Sequence, residues 1–409
     1  MERTIKLYYD GGELVVNIPG GVTVDEFRAK TAVKPVGPEQ FTGALTRAGF
    51  RESLTSPPLV IVNDGYRNTP TARILSWLNE ISPPVVSKGR FLIATGAHSA
   101  PTGKHLMSIF GDLYEKVKSR VYWHEASNID SMTPVGTDSF GETVLVNRLF
   151  AEAERVIIIG SVEPHYFAGF TGGRKSIFPG VCDLGTIERN HNMADSLEAQ
   201  PMKLDRNPVH EHLDSLLNLV DIAKVFSIQI VLSSDDSIAG IFCGPARDSF
   251  HEAATLARDI YSCRFDHQYD LALAELLPPL DDNLYQVQKA LENCQTSVRD
   301  GGTCVVVAAC RGGVGSDSFF KLADIWDRTT NQAKDGICRF GSHKLSRVNA
   351  MTRRIDVRLH STLPADRVRH VFWEPVEHLN ELIQSRLKSG SRLAVVRNAG
   401  HTVMTSHIC

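Results

Sequence analysis

Short apolar runs of strand length recur along this chain, each followed by a polar loop and then a stretch with helical spacing. That alternation is a strong constraint, because strands that are apolar throughout need helices over both faces, and strand–helix–strand units build parallel sheets. LVIVN at 59–63 leads into a helical pattern in which Thr69 can cap and Pro70 can occupy the first turn. RFLIATGAHSAPTGKHLM repeats the scheme, with a strand at 91–95 and a helix starting near Thr102. A third strand at 156–160 runs directly into EPHYFAGFTGGRK, and FSIQIVLSSDDSIAGIFCG reads as a hairpin about Asp235 and Asp236 ahead of a closing helix. Beyond Cys263, YDLALAEL (269–276) and TCVVVAAC (303–310) read as buried strands separated by the helix of NLYQVQKALENCQTSV.

A chain of 409 residues exceeds one ordinary core, so two domains are expected. The predicted fold class is α/β: two doubly wound α/β domains, residues 1–263 carrying the catalytic and cofactor-binding groups and 264–409 closing over the substrate. The active site is expected in the cleft between them. A formal net charge of −3 gives no broad attraction for nucleic acid or anionic lipid. No apolar run reaches the ~18 residues of a membrane span. The start of the chain alternates about Asp10-Gly11-Gly12 as a hairpin would, so a mature cytoplasmic protein is expected. Eight cysteines without a CxxC pair, several in apolar runs, predict buried reduced thiols.

In sheets of this kind ligands bind beyond the carboxyl ends of the strands, where Asp64 and Arg67, then His98, then His165 fall. The stretch from Glu163 to Asn192 adds Gly172, Gly173, Arg174 and Lys175, and then His191 between two asparagines. A phosphate-binding Walker loop would explain the glycines and lysine, but Arg174 stands where its second glycine belongs, and no G-x-G-x-x-G follows a strand. The histidines lack HExxH or HxH spacing, so they do not form a self-contained zinc motif. RGGVGS at 311–316 either binds an anion or turns the chain. Two or three histidines, several cations and a lysine at one crevice suit an anionic substrate that needs acid–base work. The residues alone leave a metal-dependent hydrolase, an NAD-dependent 2-hydroxyacid dehydrogenase and a non-catalytic cofactor-binding protein open.

The ordered combination EPH…GGRK…NHN resembles the nickel-dependent lactate racemase family. Histidine, lysine and histidine stand at 165, 175 and 191, and DGYR at 64–67, TGAH at 95–98 and YQVQK at 285–289 resemble further segments of that family. The resemblance implies an isomerase acting on 2-hydroxy acids with a nickel pincer nucleotide, a sulfur-bearing pyridinium mononucleotide tethered to Lys175. By the same resemblance His191 is the protein's nickel ligand, Gly172, Gly173, Arg174 and Asp64 belong to the cofactor site, and cofactor-maturation enzymes are partners. It also implies hydride transfer from substrate C2, with His98 and His165 as the acid–base pair and Arg67, Gln286 and Lys289 on the substrate. The chain departs from the lactate enzymes at DGYRNTP and at Ser99, and neither Trp326 nor Trp373 is assigned the substrate-contacting role. Lys104, His105 or Arg174 could meet a second carboxylate or extra hydroxyls, so malate, aryl-lactates and sugar acids stay open beside lactate.

Overall fold

The computed structural model describes residues 3–50, 56–339 and 341–406, and Cys409 lies outside them. Two units emerge, Thr31–Ile260 and a second made of Met1–Lys30 with Tyr261–Cys409.

In the unit Thr31–Ile260 a six-stranded sheet runs in the order Ile238–Pro245, Val225–Leu232, Val156–Ser161, Leu59–Asn63, Arg90–Ala94, Val121–Trp123. All neighbours are parallel except the hairpin of the first two. The apolar runs of the four inner strands are buried, as strands covered on both faces must be, and Phe41, Leu75, Leu78 and Phe110 join their core. The chain enters at Leu59–Asn63, moves outward through Arg90–Ala94 and Val121–Trp123, and then returns to the other flank at Val156–Ser161. The topological switch point therefore lies between Leu59–Asn63 and Val156–Ser161, and the crevice beyond their carboxyl ends is the place such a sheet offers a ligand.

Helix starts divide into one expected and one not. Thr102 caps Gly103–Phe110, its Oγ1 accepting the His105 amide at 3.2 Å. Thr69 does not cap the helix Thr71–Ile81, whose N-cap is Pro70. Its hydroxyl instead accepts from Asn63 Nδ2 at 2.7 Å and meets Ser161 Oγ at 2.8 Å, so it ties the two strands at the switch point.

The second unit holds a six-stranded parallel sheet in the order Glu374–Pro375, Asp356–His360, Val298–Val307, Tyr269–Glu275, Arg392–Val396, Thr23–Phe27. The division near residue 263 is found at 260/261, but a contiguous span 1–263 is not. Thr23–Phe27 pairs with Arg392–Val396, and the hairpin Arg3–Tyr9/Gly12–Ile18 lays Ile5, Leu7, Val16 and Ile18 against Leu271, Leu273, Val305 and Val307. The apolar face of that hairpin is what assigns residues 1–30 to the other unit.

The seven cysteines among the described residues form no disulfide, and four are buried. Burial pushes the Cys304 thiol up to about 12, which keeps it protonated and unreactive. No helix among the described residues is long and apolar enough to cross a membrane.

Candidate functional site

At the end of Leu59–Asn63 the turn DGYR places Asp64 under His98. The imidazole Nδ1 lies 2.6 Å from Asp64 Oδ2, and the carboxylate also accepts the Tyr66 amide at 3.2 Å. Burial alone would raise the Asp64 carboxyl, but the His98 charge and hydrogen bond, Arg67 and the Tyr66 amide outweigh it and hold it below its ordinary value. An ionised Asp64 takes the Nδ1 proton as its hydrogen bond, which leaves His98 Nε2 with a lone pair. The Tyr66 ring stands edge-on to His98 and His105, at 5.2 and 5.0 Å between centroids.

Arg67, from the same turn, meets Glu163 at the end of the neighbouring strand, Nη1 to Oε2 at 3.7 Å. Its guanidinium makes no hydrogen bond among the described residues, so its donors are available. Glu163 is buried; its Oε1 accepts from Ser161 Oγ at 2.7 Å, and Ser161 is the residue bonded to Thr69. A single chain, Asn63–Thr69–Ser161–Glu163–Arg67, thus crosses the switch point.

His165 follows immediately. Its Nδ1 accepts the Ala168 amide at 3.2 Å, which leaves the proton of the neutral ring on Nε2. Its face stacks on Tyr166, and its ring lies edge-on to Phe167 at 4.5 Å. Phe167 also meets His191 at 5.0 Å and Lys175 Nζ at 5.7 Å, so one buried ring gathers His165, Lys175 and His191.

His191 sits near the end of Leu184–Asn192, and its helix is fixed three ways. Asp183 caps it by accepting the Thr186 amide at 2.8 Å, Arg189 Nε pairs with Asp138 Oδ2 at 2.7 Å, and Asn190 Nδ2 donates to Val209 O at 3.0 Å. His191 Nδ1 donates to Ile187 O at 2.9 Å, a backbone contact that orients the ring with an Nε2 lone pair.

The glycines do something other than open a cradle. Gly172 and Gly173 have φ +77° and +51°, and a Cβ there would meet Gln229 Oε1 at 2.6 Å and Phe250 Cβ at 2.7 Å. The Gly173 amide donates to Gln229 Oε1 at 2.8 Å, so it is engaged by the protein. Arg174 is buried over the Phe250 ring, with Nη2 donating to Ala168 O at 2.9 Å and Nε and Nη1 unpartnered. Burial pulls its pKa down to about 9.

In the second unit Asn283 caps the helix Leu284–Cys294 by accepting the Gln286 amide at 3.1 Å, and Gln286 and Lys289 follow three residues apart on one side. RGGVGS turns the chain onto the start of this helix, where Gly313 O and Val314 O accept the Leu284 and Tyr285 amides at 3.0 and 3.2 Å. Behind the helix Lys344 is buried, donating to Tyr285 O at 2.8 Å with its Nζ 4.0 Å from that ring. Burial pulls its pKa down to about 7 against the opposing charge of Glu292.

Glu163, Phe167 and Thr69 are the site residues that sequence reasoning passes over. Glu163 and Phe167 lie inside the stretch it singles out, two residues to either side of His165. Their signal was proximity to that histidine, masked by an aromatic that reads as core.

Parallel strands whose carboxyl ends carry His98, Asp64, Arg67, Glu163 and His165 define an α/β protein with titratable and cationic groups gathered at its switch point. The comparisons then give the family. Models described as the lactate racemase N-terminal domain and the lactate racemase C-terminal domain match residues 24–201 and 277–347, together well over half of the chain. The chain belongs to the lactate racemase family. It is 30% identical over 277 residues to a lactate racemase of Lactiplantibacillus plantarum, covering 66% of this chain and 64% of that protein. A lactate racemase of Thermoanaerobacterium thermosaccharolyticum is 29% identical over 282 residues, 68% of this chain and again 64% of the relative. These matches span less than two thirds of the length of either relative. The fold matches the lactate racemase apoprotein structure from Thermoanaerobacterium thermosaccharolyticum with a TM-score of 0.81 at 21% identity, over 98% of this chain and 100% of that one. It also matches a Thermotoga maritima protein with a TM-score of 0.73 at 16% identity, over 92% and 100%.

Proposed function

We propose that this protein is a racemase or epimerase of 2-hydroxy acids that works with a nickel pincer nucleotide attached to Lys175. The observation that carries the reading is the Phe167 ring, in contact with Lys175, His165 and His191 at once. A tether and a metal ligand sixteen residues apart need such a common locus.

The donor set fits the group. His191 offers one oriented imidazole nitrogen, and no cluster of three His, Cys, Asp or Glu among the described residues is placed to hold a metal. A metal at His191 therefore needs further donors from a bound group, and the soft sulfurs of a pincer nucleotide suit nickel. Lys175 would hold the group and His191 its metal, and Asp64 would border the group while fixing His98. Arg174, with two unpartnered nitrogens, is the cation suited to its phosphate.

When bound, the group supplies an acceptor for the C2 hydrogen and its electron pair. The chain's residues do the rest. Arg67 directs its unbonded donors at the substrate carboxylate; Gln286 and Lys289 carry the amide and ammonium groups that the family resemblance assigns to substrate binding. His98 Nε2 takes the hydroxyl proton, and Asp64 stabilises the imidazolium that forms. Neutral His165 donates a hydrogen bond to the oxygen from Nε2, and the proton that restores the hydroxyl when the planar 2-oxo acid is reduced from its other face is given by a ring that has become the imidazolium. The two rings thus present complementary tautomers at Nε2, an acceptor at His98 and a donor at His165, and each serves one enantiomer.

Protein produced together with the maturation enzymes and nickel should show an intact-mass adduct that Lys175→Ala lacks. It should also abolish the optical activity of at least one enantiopure 2-hydroxy acid. Turnover without an adduct, or net reduction of added NAD with release of 2-oxo acid, would defeat the proposal.

A further inference from the structure

We propose that Glu163 is the positioning residue of the substrate clamp, holding the Arg67 guanidinium so that its donors face the substrate carboxylate. The inference rests on the 2-hydroxy acid reading above and adds a residue to which neither motif nor chemistry had given a role.

Arginine has many rotamers, and a clamp that must be ordered on each binding event loses affinity. Arg67 side-chain exposure is 20%, and its ion-pair partner among the described residues is Glu163 at 3.7 Å, with Asp64 close enough to feel its charge. That separation is longer than the 2.7–2.9 Å of a charge-assisted hydrogen bond. Glu163 therefore attracts the guanidinium without occupying its N–H groups, and the fork stays open for a bidentate partner. Glu163 itself cannot follow Arg67 outward. Its Oε1 is held by Ser161 Oγ at 2.7 Å, its amide donates to Thr171 Oγ1 at 2.9 Å, and its carbonyl accepts the Thr171 amide at 2.8 Å. Ser161 is braced in turn by Thr69, so the brace is built from the ends of both strands at the switch point. The carboxylate also opposes the Arg67 charge before substrate arrives, which favours a monoanionic partner over a second carboxylate near this group.

The test compares Glu163→Gln, Glu163→Asp and Arg67→Lys in cofactor-loaded protein, with pyruvate as a carboxylate probe in calorimetry. E163Q keeps the shape and the Ser161 contact but removes the charge. It should raise KM and the pyruvate dissociation constant by about tenfold, with kcat changed less than threefold and the Lys175 adduct mass intact. E163D should recover part of the affinity, and E163Q should add little in an R67K background, since coupled residues are not additive. Pyruvate affinity equal in wild type and E163Q overturns the proposal, as do the absence of pyruvate binding to wild type and an equal loss in both backgrounds. Failure of wild type to racemise any 2-hydroxy acid would strike the proposed function instead, and Arg67-dependent pyruvate binding would still read the role of Glu163.

Discussion

Asp64 and Glu163 are two buried carboxylates at the switch point, and each faces a basic side chain, His98 for the first and Arg67 for the second. Burial favours a protonated carboxyl, but His98, Arg67 and the Tyr66 amide hold that of Asp64 below its ordinary value. For Asp64 the consequence can be signed. Its folded pKa is depressed, so its contribution to stability is present above the ordinary value near 3.8 and is lost as pH falls below that, through the folded value. Asp64→Asn should therefore lower the urea-unfolding free energy most between about pH 5 and 7, and the gap to wild type should close below about pH 4. The same substitution removes the acceptor that fixes the His98 tautomer. Turnover should fall roughly ten- to a hundredfold with little change in KM, measured across the pH profile. An unchanged profile would mean that His98 does not need Asp64.

The helix Leu184–Asn192 shows how an element carries a single functional atom. Asp183 both caps it and accepts the Leu145 amide at 2.9 Å, so the helix start is bonded to the strand Thr143–Asn147. Asp183→Ala should lower stability by about 1–2 kcal/mol, whereas Asp183→Asn should retain most of the cap. In the loaded protein the alanine variant should also lose nickel faster to a chelator, because His191 is about two turns along that helix. Equal nickel retention would show that the helix position is set elsewhere. The inner strands of this unit were legible from their apolar runs, and Thr102 from its place ahead of a helical pattern. Thr69 was misread because Thr-Pro before a helix carries a local capping signal, while its actual partners, Asn63 and Ser161, are supplied only by tertiary structure. Phe167 was illegible for a related reason: a buried aromatic beside Tyr166 looks like core until its neighbours are known. The histidines and the lysine could be read because chemistry-bearing residues in loops are sparse, whereas the close packing of Gly172 and Gly173 against Gln229 and Phe250 is set by tertiary structure.

At the scale of the whole molecule, the second unit is made from both ends of the chain, a pairing that no local pattern could reveal. Thr23–Phe27 forms an edge of its sheet, and Ile5, Leu7, Val16 and Ile18 of the hairpin are each at most 4% exposed over its apolar face. Four such side chains at roughly 1.5–3 kcal/mol each contribute on the order of 6–12 kcal/mol as an upper bound. That is comparable with the whole stability of an ordinary domain, about 5–15 kcal/mol. Deleting residues 1–30 should therefore unfold the second unit rather than merely weaken it. The unit Thr31–Ile260 keeps its own core and should survive the deletion. Hydrogen exchange on the truncated protein should become fast across Tyr269–Glu275 and Arg392–Val396 while Leu59–Asn63 and Val156–Ser161 stay protected. Supplying residues 1–30 at the other end, joined after Cys409 by a flexible linker, should restore protection, because the sheet needs the strand and the hairpin rather than their position in the chain. Continued protection of Tyr269–Glu275 in the truncated protein would show that 261–409 has a sufficient core of its own, and the contribution of the hairpin would then be far smaller than its burial implies.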